Sequence, residues 1–120
     1  NIYDNICLPL ILADKSPKPD YINELCEVLE LTDQLKKMPT QLSGGQQQRA
    51  AIARALIMRP EVIFADEPTG NLDSHNSQKV MHLLLECAKR YQQTVIYVTH
   101  DTHLAALADR QIQIKDGRIV

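Results

Sequence analysis

Two apolar runs near the middle of the chain, Val62-Ile63-Phe64-Ala65 and Thr94-Val95-Ile96-Tyr97-Val98, each end abruptly at polar residues. Continuous, β-branched runs of this length read as strands buried on both faces, the pattern of a parallel sheet. Between them Val80, Leu83, Leu84, Cys87, Ala88 and Tyr91 recur at helical spacing and predict a long helix from about Ser74 to Gln92. Strand, helix, strand in that order is a βαβ unit, and its crossover is expected to be right-handed. The fold class is therefore α/β.

The N-terminal half reads as helical. An apolar stretch, Asn1 to Leu12, runs into a Lys-Ser-Pro-Lys-Pro loop. Beyond the loop, Ile22, Leu25, Cys26 and Leu29 fall at i, i+3, i+4, i+7 on one face of a helix entered near Pro19 or Asp20. A short helical piece is expected over Asp33 to Lys37, ended by Pro39. Ser43 with Gln46 three residues later fits a capping box, so a further helix should run from about Gly44 to Met58 and stop at Pro60. At the other end, Gln111 to Lys115, Asp116-Gly117 and Arg118 to Val120 read as a hairpin on a type I′ turn. The 120 residues make one small domain, with a helical part at 1–60 and a strand-containing part at 61–120.

Composition narrows the class of partner. The formal net charge of -2 gives no broadly basic surface, and one Phe, four Tyr and no Trp leave little with which to stack bases, so no nucleic acid is expected as a partner. The three cysteines, Cys7, Cys26 and Cys87, are odd in number and widely spaced, which fits free thiols in a reducing compartment. No apolar run reaches the roughly 18 residues of a membrane span, and no signal-peptide pattern is present, so the chain is expected in the cytoplasm.

In an open parallel sheet, ligands bind beyond the carboxyl ends of the strands. Asp66 and Glu67 finish the first strand and His100 follows the second. Each alone could be a solvating polar residue at a strand end. Adjacent strands, however, would bring all three to one rim. There an acid can hold a hydrated Mg²⁺, a second acid can orient or deprotonate an attacking water, and an imidazole N–H can hold a γ-phosphate oxygen. The set suits nucleotide hydrolysis. A phosphate-wrapping loop of the form G-x-x-x-x-G-K-S/T is nevertheless missing, and the four glycines, Gly44, Gly45, Gly70 and Gly117, cannot supply one.

Ser43-Gly44-Gly45 bears on that gap. A helix N-terminus offers unpaired N–H groups and the positive end of the helix dipole, and glycines let a phosphate approach without a Cβ in the way. An ordinary capped helix with a flexible entry is the plainer alternative. On the first reading, this turn is half of a site whose other phosphates are held by different protein.

"LSGGQQQR" at Leu42 to Arg49, "VIFADEPTGNLD" at Val62 to Asp73 and "VTHD" at Val98 to Asp101 together resemble, in order and spacing, the ATP-binding subunit of ABC transporters, a P-loop NTPase fold. "NIYDNICLPL" is similar to the start of that family's helical subdomain, so the resemblance covers nearly the whole chain. It implies that Ser43, Gly44, Gly45 and Gln46 are the signature motif, binding ATP held by a partner subunit. Asp66 would coordinate Mg²⁺ through water, and Glu67 would be the general base. Asn71, Leu72 and Asp73 would form the D-loop at the dimer interface, and His100 would reach the γ-phosphate. Arg49 and Arg54 are expected in surface or interface packing. "PTGNLD" is most similar to the group of lipoprotein-release, macrolide-export and antimicrobial-peptide-export ATPases.

The resemblance further implies ATP and Mg²⁺ as cofactors. As partners it implies a second ATP-binding subunit and a transmembrane permease, which would hold the protein on the inner face of the cell membrane. The family's P-loop strand is absent from these residues, and by analogy it would lie beside Thr94 to Val98. The 120 residues alone are therefore expected to be inactive, and marginally stable or self-associating. Two other readings remain: a relative serving DNA repair or chromosome structure, and a truncated module that only binds a partner. The short helical segment before Ser43, with no heptads, favours transport over the first.

Overall fold

In a computed structural model describing all 120 residues, the βαβ unit is formed by strand β1 (Val62–Asp66), helix α4 (Ser74–Arg90) and strand β2 (Thr94–Val98). The strands pair in parallel, with Val62 opposite Thr94 and Asp66 opposite Val98. Their carboxyl ends therefore finish at the same level, which is the condition for a shared rim.

The expectation that both strands are buried on both faces is corrected. Ile63 is buried and Val95 and Tyr97 are half-buried, all on the face turned to the helices. On the opposite face Phe64 is 78% exposed, with Val62, Ile96 and Val98 beside it. The apolar content of the runs was read correctly, but in these residues only one face of the sheet has a layer packed on it.

The core lies among the helices instead. Helix α1 (Ile2–Leu12) is capped by the Asn1 side chain, which accepts the Asp4 N–H. Helix α2 (Pro19–Val28) starts on a proline, whose fixed φ suits a first turn. Helix α3 (Gly44–Leu56) ends two residues short of Met58, with Arg59 in the left-handed region (φ 53°) just ahead of Pro60. Ile6, Leu10, Ile22, Leu25, Leu56, Val80 and Leu84 interleave these helices with α4. The piece expected at Asp33 to Lys37 is a single 3-10 turn, Thr32–Gln34, and a second such turn covers Pro39–Gln41.

Polar contacts tie α2 along α4. Lys79 pairs with Glu30 at 2.6 Å and Arg90 with Glu24 at 3.4 Å. The Tyr21 ring meets the edge of Tyr91 at 5.3 Å and carries the Arg59 guanidinium 4.1 Å above it, while its hydroxyl donates to the Leu56 carbonyl. After β2 a short helix, α5 (Thr102–Ala105), precedes the hairpin of β3 (Ile114–Lys115) and β4 (Arg118–Ile119). Asp116 and Gly117 both have positive φ (52° and 75°), as a type I′ turn requires. All three cysteines are free and buried. No helix is long and apolar enough to cross a membrane.

Candidate functional site

At the strand ends the backbone does much of the positioning. Glu67 leaves β1 in the left-handed region (φ 44°), a conformation that costs a non-glycine residue of order 1 kcal/mol or more. Its N–H donates to the Val98 carbonyl at 2.9 Å, extending the ladder by one residue past the strand. The carboxylate is thereby turned toward the end of β2. There Glu67 Oε1 accepts the His100 backbone N–H at 3.1 Å and stands 3.4 Å from His100 Nε2. Glu67 and His100 are thus brought together as expected. Asp66 is exposed on the same rim, and the His100 side chain is almost wholly open to solvent.

This rim has the donor set for part of a Mg²⁺ shell. Mg²⁺ commonly keeps several waters and takes one or two carboxylates, completing its octahedron with substrate phosphates. Asp66, exposed at the strand end, can supply such a carboxylate.

The second cluster is the entrance to α3. Ser43 Oγ accepts the Gln46 N–H at 3.2 Å, and Gln46 Oε1 accepts the Ser43 N–H at 2.9 Å, so the expected capping box forms in both directions. The Gly44 and Gly45 N–H groups have no acceptor within the chain. Two free donors at the positive end of a 13-residue helix fit an anion. Gly44 is exposed, whereas Gly45 is buried and turns its bare side into the chain. A Cβ on Gly44 would stand 3.3 Å from Leu72 Cδ2, and one on Gly45 would stand 3.6 Å from Asn76 Oδ1 and 3.8 Å from Arg49 Nη1. An anion can reach these donors from the exposed Ser43-Gly44 side but not past Gly45.

Leu72 and Asn76 belong to the segment that carries Asp73. Asp73 caps α4: its Oδ1 accepts the Asn76 N–H and its Oδ2 accepts the Asn76 side-chain amide, both at 2.9 Å. These bonds, the backbone one foremost, hold the Asp73 carboxyl below its ordinary range. Ser77, buried, donates to the carbonyls of Thr69 or Leu72 at 3.3 Å and fastens the loop between the acids and the cap. The signature turn and the Asp73 loop are thus neighbours, and the same loop is tied to the rim where the Gly70 N–H donates to the Glu67 carbonyl at 3.1 Å.

Arg49 and Arg54 divide. Arg54 donates to Asn5 Oδ1 at 3.0 Å, linking α3 to α1. Arg49 is 7% exposed, with its Nε unpartnered, and its charge adds to that of Lys79 in lowering the Glu30 carboxyl. It packs inside the chain rather than on the surface. Asn76 and Ser77 went unnoticed in the sequence. An Asp followed three residues later by Asn, at the start of an amphipathic helix, was the available signal for the first. Nothing local marked the second.

The model for the family described as "ABC transporter" matches residues 2–70. The macrolide export ATP-binding/permease protein MacB of Aggregatibacter actinomycetemcomitans is 49% identical over 119 residues, which are 98% of this chain and 18% of that protein. The lipoprotein-releasing system ATP-binding protein LolD of Cytophaga hutchinsonii is 41% identical over 119 residues, 98% of this chain and 54% of that protein. The chain thus spans about half, or less, of the length of such relatives. Among solved structures, the dimeric bacterial ABC transporter cassette MJ0796 superposes with a TM-score of 0.78 at 40% identity, covering 99% of this chain and 54% of that one. The same cassette is also known as a dimer in a post-hydrolysis state bound to ADP and Pi. With three motifs in order, a parallel unit carrying two of them at one rim, and a family match over more than half its residues, the chain belongs to the ABC transporter family, in its ATP-binding domain.

Proposed function

We propose that this chain is the signature-bearing portion of an ATP-hydrolysing subunit that drives export or release of a substrate by a membrane permease. The observation that carries the reading is the rim where Asp66, Glu67 and His100 meet, with Glu67 Oε1 3.4 Å from the imidazole. In this reading residues 1–60 form the helical subdomain and residues 61–120 part of the catalytic core. The protein works as a dimer on the cytoplasmic face of the membrane.

In this reading the residues take the following roles, which the family membership and the shared rim support. Asp66 would hold Mg²⁺, and the metal, when bound, would supply charge neutralisation for the phosphates. Glu67, oriented by the His100 N–H, accepts a proton from the attacking water. The exposed imidazole of His100 reaches a γ-phosphate oxygen. Across the dimer, Ser43 and the free N–H groups of Gly44 and Gly45 close on the phosphate of ATP held by the other subunit, with Gln46 fixing the turn through the capping box and Asp73 fixing the adjoining loop.

The test is turnover of the whole protein containing this chain. Glu67→Gln should lower kcat by roughly 10²- to 10⁴-fold, the usual contribution of a general base, while ATP binding persists. Hydrolysis at the parent rate in that variant would overturn the assignment. The 120 residues by themselves lack a phosphate cradle to position the nucleotide and should not hydrolyse ATP. Adding a half that carries a P-loop should restore turnover.

A further inference from the structure

We infer that Asn76 is a positioning residue that locks the Asp73 loop to the signature turn, so that both meet the partner subunit's nucleotide as one unit; the inference rests on the function proposed above. A helix cap ordinarily needs one side-chain acceptor for one backbone donor. Here a single residue engages both oxygens of the Asp73 carboxylate, one through its backbone N–H and one through its side-chain Nδ2, each at 2.9 Å. The amide oxygen that remains is the atom nearest the missing Cβ of Gly45, at 3.6 Å. The amide therefore sits beside the second residue of α3, with room for no more than a methyl group between them.

The neighbours reinforce the joint. Leu72 closes on Gly44 from the same side, and Ser77 draws the Thr69 and Leu72 carbonyls onto the first turn of α4. In the inference, this packing couples the first turn of α3 to the 69–73 loop. The residue type at 76 is also informative. An acid in a helix's first turn would be favoured by the dipole, yet Asp cannot donate to Asp73 and would set two negative charges side by side. Asn meets the demand for a donor on one side and a small planar group on the other.

A cap that served only to stabilise α4 would, when lost, lower melting temperature and leave the nucleotide dependence alone. A positioning role predicts a split. In the whole protein, Asn76→Asp should raise the ATP concentration for half-maximal turnover about tenfold while kcat at saturation falls less than about threefold. Asn76→Thr, which keeps a hydroxyl donor, should lie near the parent. In a Glu67→Gln background, where slowed hydrolysis should let ATP-driven dimers accumulate, sedimentation should show the same tenfold displacement of the half-point for Asn76→Asp.

Equal half-points for parent and Asn76→Asp would overturn the inference. So would a proportional loss of kcat and melting temperature with no displacement. If Asn76→Asp fails to fold, Asn76→Ala carries the same comparison against Asn76→Thr. A Glu67→Gln parent that shows no ATP-driven dimer would instead bring down the functional reading, and this inference with it. The local bond is read separately by NMR titration of Asp73: its carboxyl should move up toward the ordinary range in Asn76→Ala, and an unchanged titration would remove the joint itself.

Discussion

At the scale of single residues, the two signature glycines separate two demands that are easily confused. Packing within the chain is close at both, but it does not require glycine. A Cβ at Gly45 would make ordinary contacts of 3.6–3.8 Å, and at Gly44 it would press by a few tenths of an ångström on the mobile tip of Leu72. Neither glycine has positive φ. Gly45→Ala should therefore fold as well as the parent, and helix propensity adds up to ~1 kcal/mol of stability in its favour. If the free N–H groups serve a phosphate, the same variant should weaken ATP-driven dimerisation in the whole protein, because losing glycine's backbone freedom stiffens the turn that must close on it. Thermal melting and sedimentation with ATP check the two halves of this expectation. Unchanged dimerisation would return the turn to a simple cap. The capping box itself was legible in the sequence because Ser43 and Gln46 are three residues apart and find each other locally. The Asn76–Gly45 contact was not, because only packing of α4 on α3 brings residues 31 apart in sequence together.

At the scale of elements, periodicity served well where one face decides burial. The stripe Ile22, Leu25, Cys26, Leu29 predicted the buried face of α2, and Val80, Leu84 and Cys87 that of α4. It served less well for the strands, since an apolar run records what the residues tolerate and not whether a second layer is present. The thiols on those two helix faces give a pH-dependent consequence. Burial pushes Cys26 and Cys87 up to about 11, from an ordinary 9.0. The folded chain therefore keeps protons that the unfolded chain releases. Their contribution to stability is fully present below pH 9 and is lost as pH rises through about 11, by roughly 3 kcal/mol per thiol. Denaturant melts of Cys26→Ala between pH 8 and 11 should show a shallower decline than the parent, whatever the variant's starting stability. Parallel declines would mean that the thiol is not shielded in solution. In the same helices, Leu25→Ala removes a fully buried side chain and should cost about 2–5 kcal/mol in urea melts.

At the scale of the whole molecule, shape and surface point the same way. The radius of gyration is 15.0 Å with extents of 45 × 28 × 23 Å, whereas a compact chain of this length would be nearer ~13.5 Å. The elongation accompanies a two-stranded sheet covered by helices on one side only. Phe64, Ile96 and Val98 project from the other side, and neither strand has a second neighbour. Exposed strand edges with an apolar face associate unless blunted by charge, bulges or proline, and this face has none of these between Val62 and Ala65 or between Thr94 and Val98. The 120 residues alone should consequently sediment as a concentration-dependent mixture and bind dyes that report apolar surface. Phe64→Lys with Ile96→Lys places charge on that face without touching the core, where Ile63, Val95 and Tyr97 line the opposite side. Burying one large apolar side chain is worth roughly 1.5–3 kcal/mol, so losing two should weaken self-association by roughly a hundredfold or more. The double variant should sediment as a monomer with an unchanged far-UV spectrum. A parent that is already a sharp monomer with no dye binding would mean that this face is closed in solution by a rearrangement of the chain itself, and the hairpin with its exposed Ile114 and Ile119 would be the first element to look for against it.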